Sequence, residues 1–228
     1  MCIRDRLRDG DELVDVVVTK PDDEVILSSQ NGMAIRFNEA DARPMGRNSS
    51  GVRGISLVDG DRLVGMVVAE PEATLLTACA NGYGKRTLFG RGNHADSEEQ
   101  DEASSTSRYR TQRRGGKGVR DIKTTKRNGP VIGITRVNDG DEVMIMTARG
   151  KIQRILASDM GVIGRNTQGV RIMSIDDDDS LVAVVRVPRE ENGDETQEEN
   201  GAQGTEEQIS ASEENVTPPP IEEEGPED

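Results

Sequence analysis

The chain has 228 residues and a formal net charge of −14, from 29 Lys+Arg against 43 Asp+Glu. All of the excess lies in residues 189–228, which hold 15 acidic groups and one basic; residues 1–188 balance at 28 of each, so a neutral body carries an acidic appendage. No apolar run approaches the roughly 18–20 residues of a membrane helix and no secretory h-region is seen. With only Cys2, Cys79 and His94 as soft ligands, a disulfide framework and a zinc site are excluded, and a cytoplasmic protein with no membrane association fits best.

In chain order, residues 1–12 correspond only to the end of a repeat unit. Met1–Arg6 occupies the register of Gly51–Ser56 but shares almost none of its pattern, and both natural divergence and a truncation scar explain that. Leu13-Val-Asp-Val-Val-Val-Thr then opens a first repeat, 13–62. The same pattern returns as Leu63-Val-Gly-Met-Val-Val-Ala, Val131-Ile-Gly-Ile-Thr-Arg-Val and Leu181-Val-Ala-Val-Val-Arg-Val, at spacings of 50, 68 and 50 residues. The second repeat is therefore 63–130, the third 131–180, and 181–188 is a closing strand. Within each repeat, Val25-Ile-Leu-Ser-Ser matches Leu75-Leu-Thr-Ala-Cys and Val143-Met-Ile-Met-Thr. Asn31-Gly32, Asn81-Gly82 and Arg149-Gly150 follow, and Gly51-Val-Arg, Gly118-Val-Arg and Gly169-Val-Arg end the units. Short Val- and Ile-rich runs bounded by Asp-Gly-Asp and Asn-Gly turns predict strands, with no sustained helical period anywhere in the body. The fold class is all-β: about three propeller-like blades of roughly 50 residues, followed by a disordered acidic tail over 189–228. An edge strand is exposed at the first blade if a preceding blade is missing.

The second repeat carries an insertion of about 17 residues in the loop 88–118. It begins acidic and polar and then reverses sign. From Arg108 to Arg127 nine basic residues face Asp121 alone, net +8 in 20 positions, with Gln112-Arg-Arg-Gly-Gly-Lys-Gly118 at the centre. Arg113 and Arg114 offer planar forks of donors and Lys117 a mobile charge. Gly115, Gly116 and Gly118 allow backbone N–H groups to approach an anion, and Gln112 can donate to a phosphate oxygen. The nucleotide P-loop spacing is absent, because Val119 follows Gly118. A solvated basic loop balancing the acids before it is the plainer alternative.

The heptad, in a repeat of this register, resembles the signature box of the C-terminal domain of the DNA gyrase A subunit. Gly46-Arg-Asn-Ser-Ser-Gly-Val-Arg-Gly, Asn81-Gly-Tyr-Gly-Lys-Arg-Thr, Lys126-Arg-Asn-Gly-Pro-Val-Ile-Gly and Val162-Ile-Gly-Arg-Asn-Thr-Gln-Gly-Val-Arg fit the same family, and the resemblance spans about Asp9 to Val187. It implies a β-pinwheel, a propeller-like ring of six blades with strand exchange between neighbours, whose basic rim wraps double-stranded DNA. The complete enzyme then introduces negative supercoils at the expense of ATP. The implied DNA-binding residues are Gln112, Arg113, Arg114, Gly115, Gly116, Lys117 and Gly118, flanked by Arg108, Arg110, Arg120 and Lys123, with Arg47, Arg53, Lys85, Arg86, Arg165 and Arg171 along the rim. The implied partners are the gyrase B subunit together with a second A subunit, forming a heterotetramer through a part upstream of this sequence. The family's box sits in the first of six blades, whereas here it lies in the second of about three. This stretch needs no cofactor; ATP and Mg belong to other parts of the holoenzyme.

Neither tyrosine stands in the winged-helix context of the family's nucleophile, so no catalytic residue is expected and Tyr83 and Tyr109 read as structural or DNA-adjacent. Asp176–Asp179 lacks the spacing of a calcium loop and reads as a turn. Cys79, Met144 and Met146 read as core. The equivalent domain of topoisomerase IV and a protein-binding propeller scaffold are the rival readings; the intact box argues against the first. The tail is too polar to build a core. Tethered beside a basic rim, it can compete with DNA, so deleting residues 189–228 is expected to tighten DNA binding at low salt.

Overall fold

The computed structural model describes residues 10–46, 49–90 and 108–187. Cys2 with the Met1–Arg6 segment, Arg47, His94 with the acidic half of the insertion, and the tail from Arg189 lie outside the described residues. Eleven strands form among the rest: β1 (Glu24–Ser29), β2 (Met33–Asn38), β3 (Leu63–Ala69), β4 (Thr74–Cys79), β5 (Tyr83–Leu88), β6 (Val119–Arg120), β7 (Val131–Val137), β8 (Glu142–Thr147), β9 (Ile152–Leu156), β10 (Val170–Arg171) and β11 (Leu181–Val187). Among the described residues, only short 3-10 turns at Glu39–Asp41 and Ala157–Asp159 interrupt this all-β pattern.

Each repeat contributes one antiparallel hairpin: β1–β2, β4–β5 and β8–β9. The Asn-Gly signal acts at the tip. Gly32 donates to Ser29 O at 2.9 Å and takes φ +78°, closing a three-residue loop whose last position is left-handed.

The sheets are out of phase with the sequence repeats. They run β3-β1-β2-β6, β10-β5-β4-β7 and β11-β8-β9. A hairpin is therefore flanked by strands of the repeat that follows it. The opening strand of the next repeat pairs on one side, as β3 does on β1. The next repeat's Gly-Val-Arg strand pairs on the other, as β6 does on β2. This strand exchange explains why the Leu13–Thr19 segment, equivalent to β3, β7 and β11, forms no ladder. A strand of this class pairs with the hairpin before it, and none precedes it among the described residues. Leu13, Val16 and Val18 are correspondingly exposed.

The core lies between sheets. One cluster joins Ile26, Ala34 and Val67 of the first sheet to Leu75, Phe89 and Tyr109 of the second repeat. Another joins Leu76 and Ala78 to Val143, Ile145, Met173 and Leu181. Burying these side chains at about 25 cal/mol per Å² supplies the favourable term that no single hairpin could generate alone.

A candidate nucleic-acid interface at the sheet edges

The segment after the insertion runs along the free side of β2. Gln112 N donates to Arg36 O at 2.7 Å and Asp121 N to Gly32 O at 2.9 Å, bracketing the heptad. The corresponding segment of the third repeat lies along β5 in the same way, with Ile163 N donating to Arg86 O at 2.8 Å and Ile172 N to Gly82 O at 2.9 Å. Basic residues on these two segments therefore occupy equivalent sheet edges.

Within the heptad the residues divide. Arg113 and Lys117 are exposed and make no ion pair with another described residue. Arg114 turns inward: its Nε donates to Asp41 O at 2.8 Å and its Nη1 to Arg53 O at 2.5 Å, fastening the box to the first repeat. Gly115 N is spent on Gly54 O at 2.8 Å, and Gly116 O accepts from Ser56 N at 2.9 Å. Gly118, at φ +77°, lies so close to β2 that a Cβ would stand 2.4 Å from Ala34 O. Two of the three glycines thus serve sheet packing: the Gly115 N–H already has a protein acceptor, and Gly118 is needed for close backbone approach. Gln112 is half-buried, and its side-chain nitrogen finds no partner among the described residues.

Around the heptad, Arg110, Arg120 and Lys123 are exposed, as is Arg53. Arg108 is half-buried and rests against Gly90. Arg165 is half-buried, and its Nη1 donates to Arg120 O at 3.3 Å; burial lowers its pKa against the opposing effect of Tyr109 and Asp121. Arg171 is exposed and donates to the Tyr83 hydroxyl oxygen at 3.2 Å.

Two expected rim residues are not on the rim. Lys85 is fully buried, its Nζ 2.8 Å from Asp121 Oδ1 and within hydrogen-bond distance of Thr87 Oγ1. Arg86 is also buried; its Nε donates to Met160 O at 2.9 Å, and its Nη1 meets Asp139 at 2.7 Å. Both are drawn inward because β5 is covered on its outer side by the third repeat, which supplies carbonyls for them. A residue the sequence reading did not single out stands in their place. Arg127 is exposed, lies with its Cζ 4.9 Å from the centre of the Tyr83 ring, and donates to the same hydroxyl oxygen at 3.2 Å. With Arg171 at 5.6 Å, two guanidiniums flank one ring. Donation from Arg127 and then Arg171 lowers the Tyr83 pKa. Its place in the +8 run was the available signal; its contact with Tyr83 was not readable.

An all-β repeat protein with exchanged strands, whose sheet edges display exposed cations around a glycine-rich box, is a strand-swapped propeller with a cationic rim. The family described as "DNA gyrase C-terminal domain, beta-propeller" matches residues 1–20, 23–70, 104–138 and 141–188, and the chain belongs to that family. It is 39% identical over 204 residues to the DNA gyrase A subunit of Escherichia coli (strain K12), covering 89% of this chain and 21% of the relative. Against the DNA gyrase A subunit of Clostridium acetobutylicum it is 45% identical over 186 residues, covering 82% and 20%. The chain thus spans about a fifth of the length of these relatives. Among solved structures, a DNA gyrase A C-terminal domain superposes with a TM-score of 0.60 at 29% identity, covering 72% of this chain and 50% of that one. The C-terminal domain of a DNA topoisomerase IV shares the fold at a TM-score of 0.68 and 22% identity, covering 80% and 52%.

Proposed function

We propose that this chain is a double-stranded DNA-binding and DNA-wrapping module of a gyrase A subunit, working in negative supercoiling when joined to the rest of that enzyme. The observation that carries the reading is the division of the box. Arg113 and Lys117 stay exposed on a sheet edge with no ion pair to another described residue, while Arg114 and Gly118 hold that edge to the first repeat. Arg53, Arg110, Arg120 and Lys123 add exposed charge beside them, and Arg127 and Arg171 extend it to the next sheet. Such cations release counterions from a phosphate backbone and read no base code. The gyrase B subunit, a second A subunit, ATP and Mg belong in this proposal to the remainder of the enzyme; no described residue here is assigned to hold them. The intact heptad favours gyrase over topoisomerase IV.

Fluorescence anisotropy of a labelled duplex across a salt series tests this. Engagement of about six cations predicts a log–log slope near −5. The Arg113→Ala/Lys117→Ala variant should lose about 2 from that slope, and equally on duplexes of different sequence. Absence of binding at low salt, or a salt-independent affinity, would refute the reading.

A further inference from the structure

The box loop is closed by a buried carboxylate. Asp121, the single acid of the +8 run, is fully buried with both oxygens engaged. Its Oδ1 accepts from the Tyr109 hydroxyl at 2.5 Å and pairs with Lys85 Nζ at 2.8 Å; its Oδ2 accepts from Thr77 Oγ1 at 2.7 Å. Tyr109 and Asp121 stand 12 residues apart and bracket the heptad, so their contact ties the two ends of the loop together. The main chain of Asp121 extends the junction. Its N–H donates to Gly32 O of the first hairpin at 2.9 Å, and its carbonyl accepts from Asn166 N of the third repeat at 2.6 Å.

The fold does not require this cluster. In the repeat register, Thr77 and Lys85 correspond to Leu27 and Ile35 of the first hairpin and to Ile145 and Gln153 of the third. Asp121, three residues past its Gly118, corresponds to Gly54 and Ile172. Those sites build the same junction from mainly apolar contacts, with Gly54 against Leu27 and Ile172 clustered with Ile145. A buried ion pair is a weak source of stability compared with such packing. The polar version occurs in the repeat that carries the box.

We propose that Asp121 is a positioning residue: by holding Tyr109 and Lys85 it closes the 109–121 loop and fixes the outward presentation of Arg113 and Lys117. The proposal rests on the DNA-binding reading for its purpose, though not for its geometry. Burial and the neighbouring carboxylate raise the Tyr109 pKa well above the usual phenol range, so the hydroxyl keeps the proton it donates.

Hydrogen exchange and DNA binding together test it. Tyr109→Phe keeps the ring and leaves the Lys85–Asp121 pair intact, so it serves even where Asp121→Asn fails to fold. Exchange of the Gln112 and Gly115 amides should accelerate at least about tenfold, while the β4 and β5 amides keep their protection. Affinity for a short duplex should fall about three- to tenfold with the salt slope unchanged, in contrast to the lowered slope of Arg113→Ala/Lys117→Ala. Unchanged exchange at Gln112 and Gly115, or unchanged affinity despite faster exchange, overturns the proposal. If the wild-type protein binds no duplex at low salt, the functional reading falls, and exchange still decides whether Asp121 closes the loop.

Discussion

The first two hairpins and the third have the same sequence plan and different surroundings. β1 and β4 are buried along their whole length, and β2 and β5 over most of theirs. β9, at the same register as β2 and β5, is exposed at nearly every residue, including Ile152 and Leu156. The hairpin itself does not cause this. Arg149-Gly150 turns the third hairpin as Asn31-Gly32 turns the first, with the Gly150 N–H reaching Thr147 O at 3.0 Å. What differs is the returning segment of a following repeat, which covers β2 and β5 and has no counterpart on β9 among the described residues. A blade's burial is donated by its neighbour, as expected for repeats whose stability resides in their interfaces.

The sharpest way to break the comparison uses a pair of equivalent arginines. Arg36 is buried beside Glu24, with Nη2 and Oε2 in ion contact at 2.5 Å. Its Nη1 donates to Phe89 O, Gly90 O and Tyr109 O, all in the second repeat. Glu24 Oε1 also accepts from Thr111. Arg154 makes the same pairing with Glu142 on the open hairpin but is exposed. Arg36→Met strands a buried carboxylate and three carbonyls, and should cost about 3–5 kcal/mol in urea unfolding. Arg154→Met should change stability by no more than about 1 kcal/mol. Equal losses would mean that the inter-repeat contact is not what buries the first hairpin.

This contrast also marks what the sequence could carry. The strands were legible because Val- and Ile-rich runs recur between Asn-Gly and Asp-Gly turns, and the box because its glycines interrupt a charge run. Which sheet a strand would join was not. Val119–Arg120 and Val170–Arg171 are two-residue strands that end one repeat and pair with the hairpin of another, and no local pattern specifies that choice. The errors at Lys85 and Arg86 follow from it: a basic pair beside a hairpin tip reads as exposed unless one knows that the third repeat closes over it. Asp121 was the hint available, since a lone acid within nine cations is a natural partner for one of them. The inward turn of Arg114 depends on the carbonyls of Asp41 and Arg53, 73 and 61 residues away, and had no local signal.

A second test, of intermediate size, compares the hairpin tips. Gly32, Gly82 and Gly150 all have φ near +80°. An alanine at Gly150 meets nothing within 4 Å and should cost about 1–2 kcal/mol, the left-handed penalty alone. At Gly32 a Cβ would stand 2.3 Å from Ile122 O, and at Gly82 2.3 Å from Met173 O, because the next repeat's backbone passes directly over the tip. Gly32→Ala and Gly82→Ala should each lose about 1–3 kcal/mol more than Gly150→Ala. Three equal losses would show that the neighbour shifts without resistance.

The smallest effect expected reads local opening instead of global stability. Cys79 ends β4 and is fully buried; desolvation, with Asp121 adding to it, pushes its thiol up to about 12 from an ordinary 9.0. The folded state therefore holds this proton more tightly than the unfolded chain. Its contribution is complete below pH 9.0 and is lost as pH rises towards about 12, so the stability advantage over Cys79→Ala should shrink across that window. At about pH 8 the thiol should react with iodoacetamide only when β4 opens. Thr147 ends β8 at the equivalent position and is also buried, which makes Thr147→Cys in a Cys79→Ala background a matched probe. Peptide mapping of the label separates either position from Cys2. If the returning segment locks its hairpin, the thiol introduced in place of Thr147 should be alkylated at least about tenfold faster than Cys79 in the wild type, because the open hairpin frays at lower free energy. Equal rates would place the protection in the hairpin's own ladder and remove the neighbour from the account.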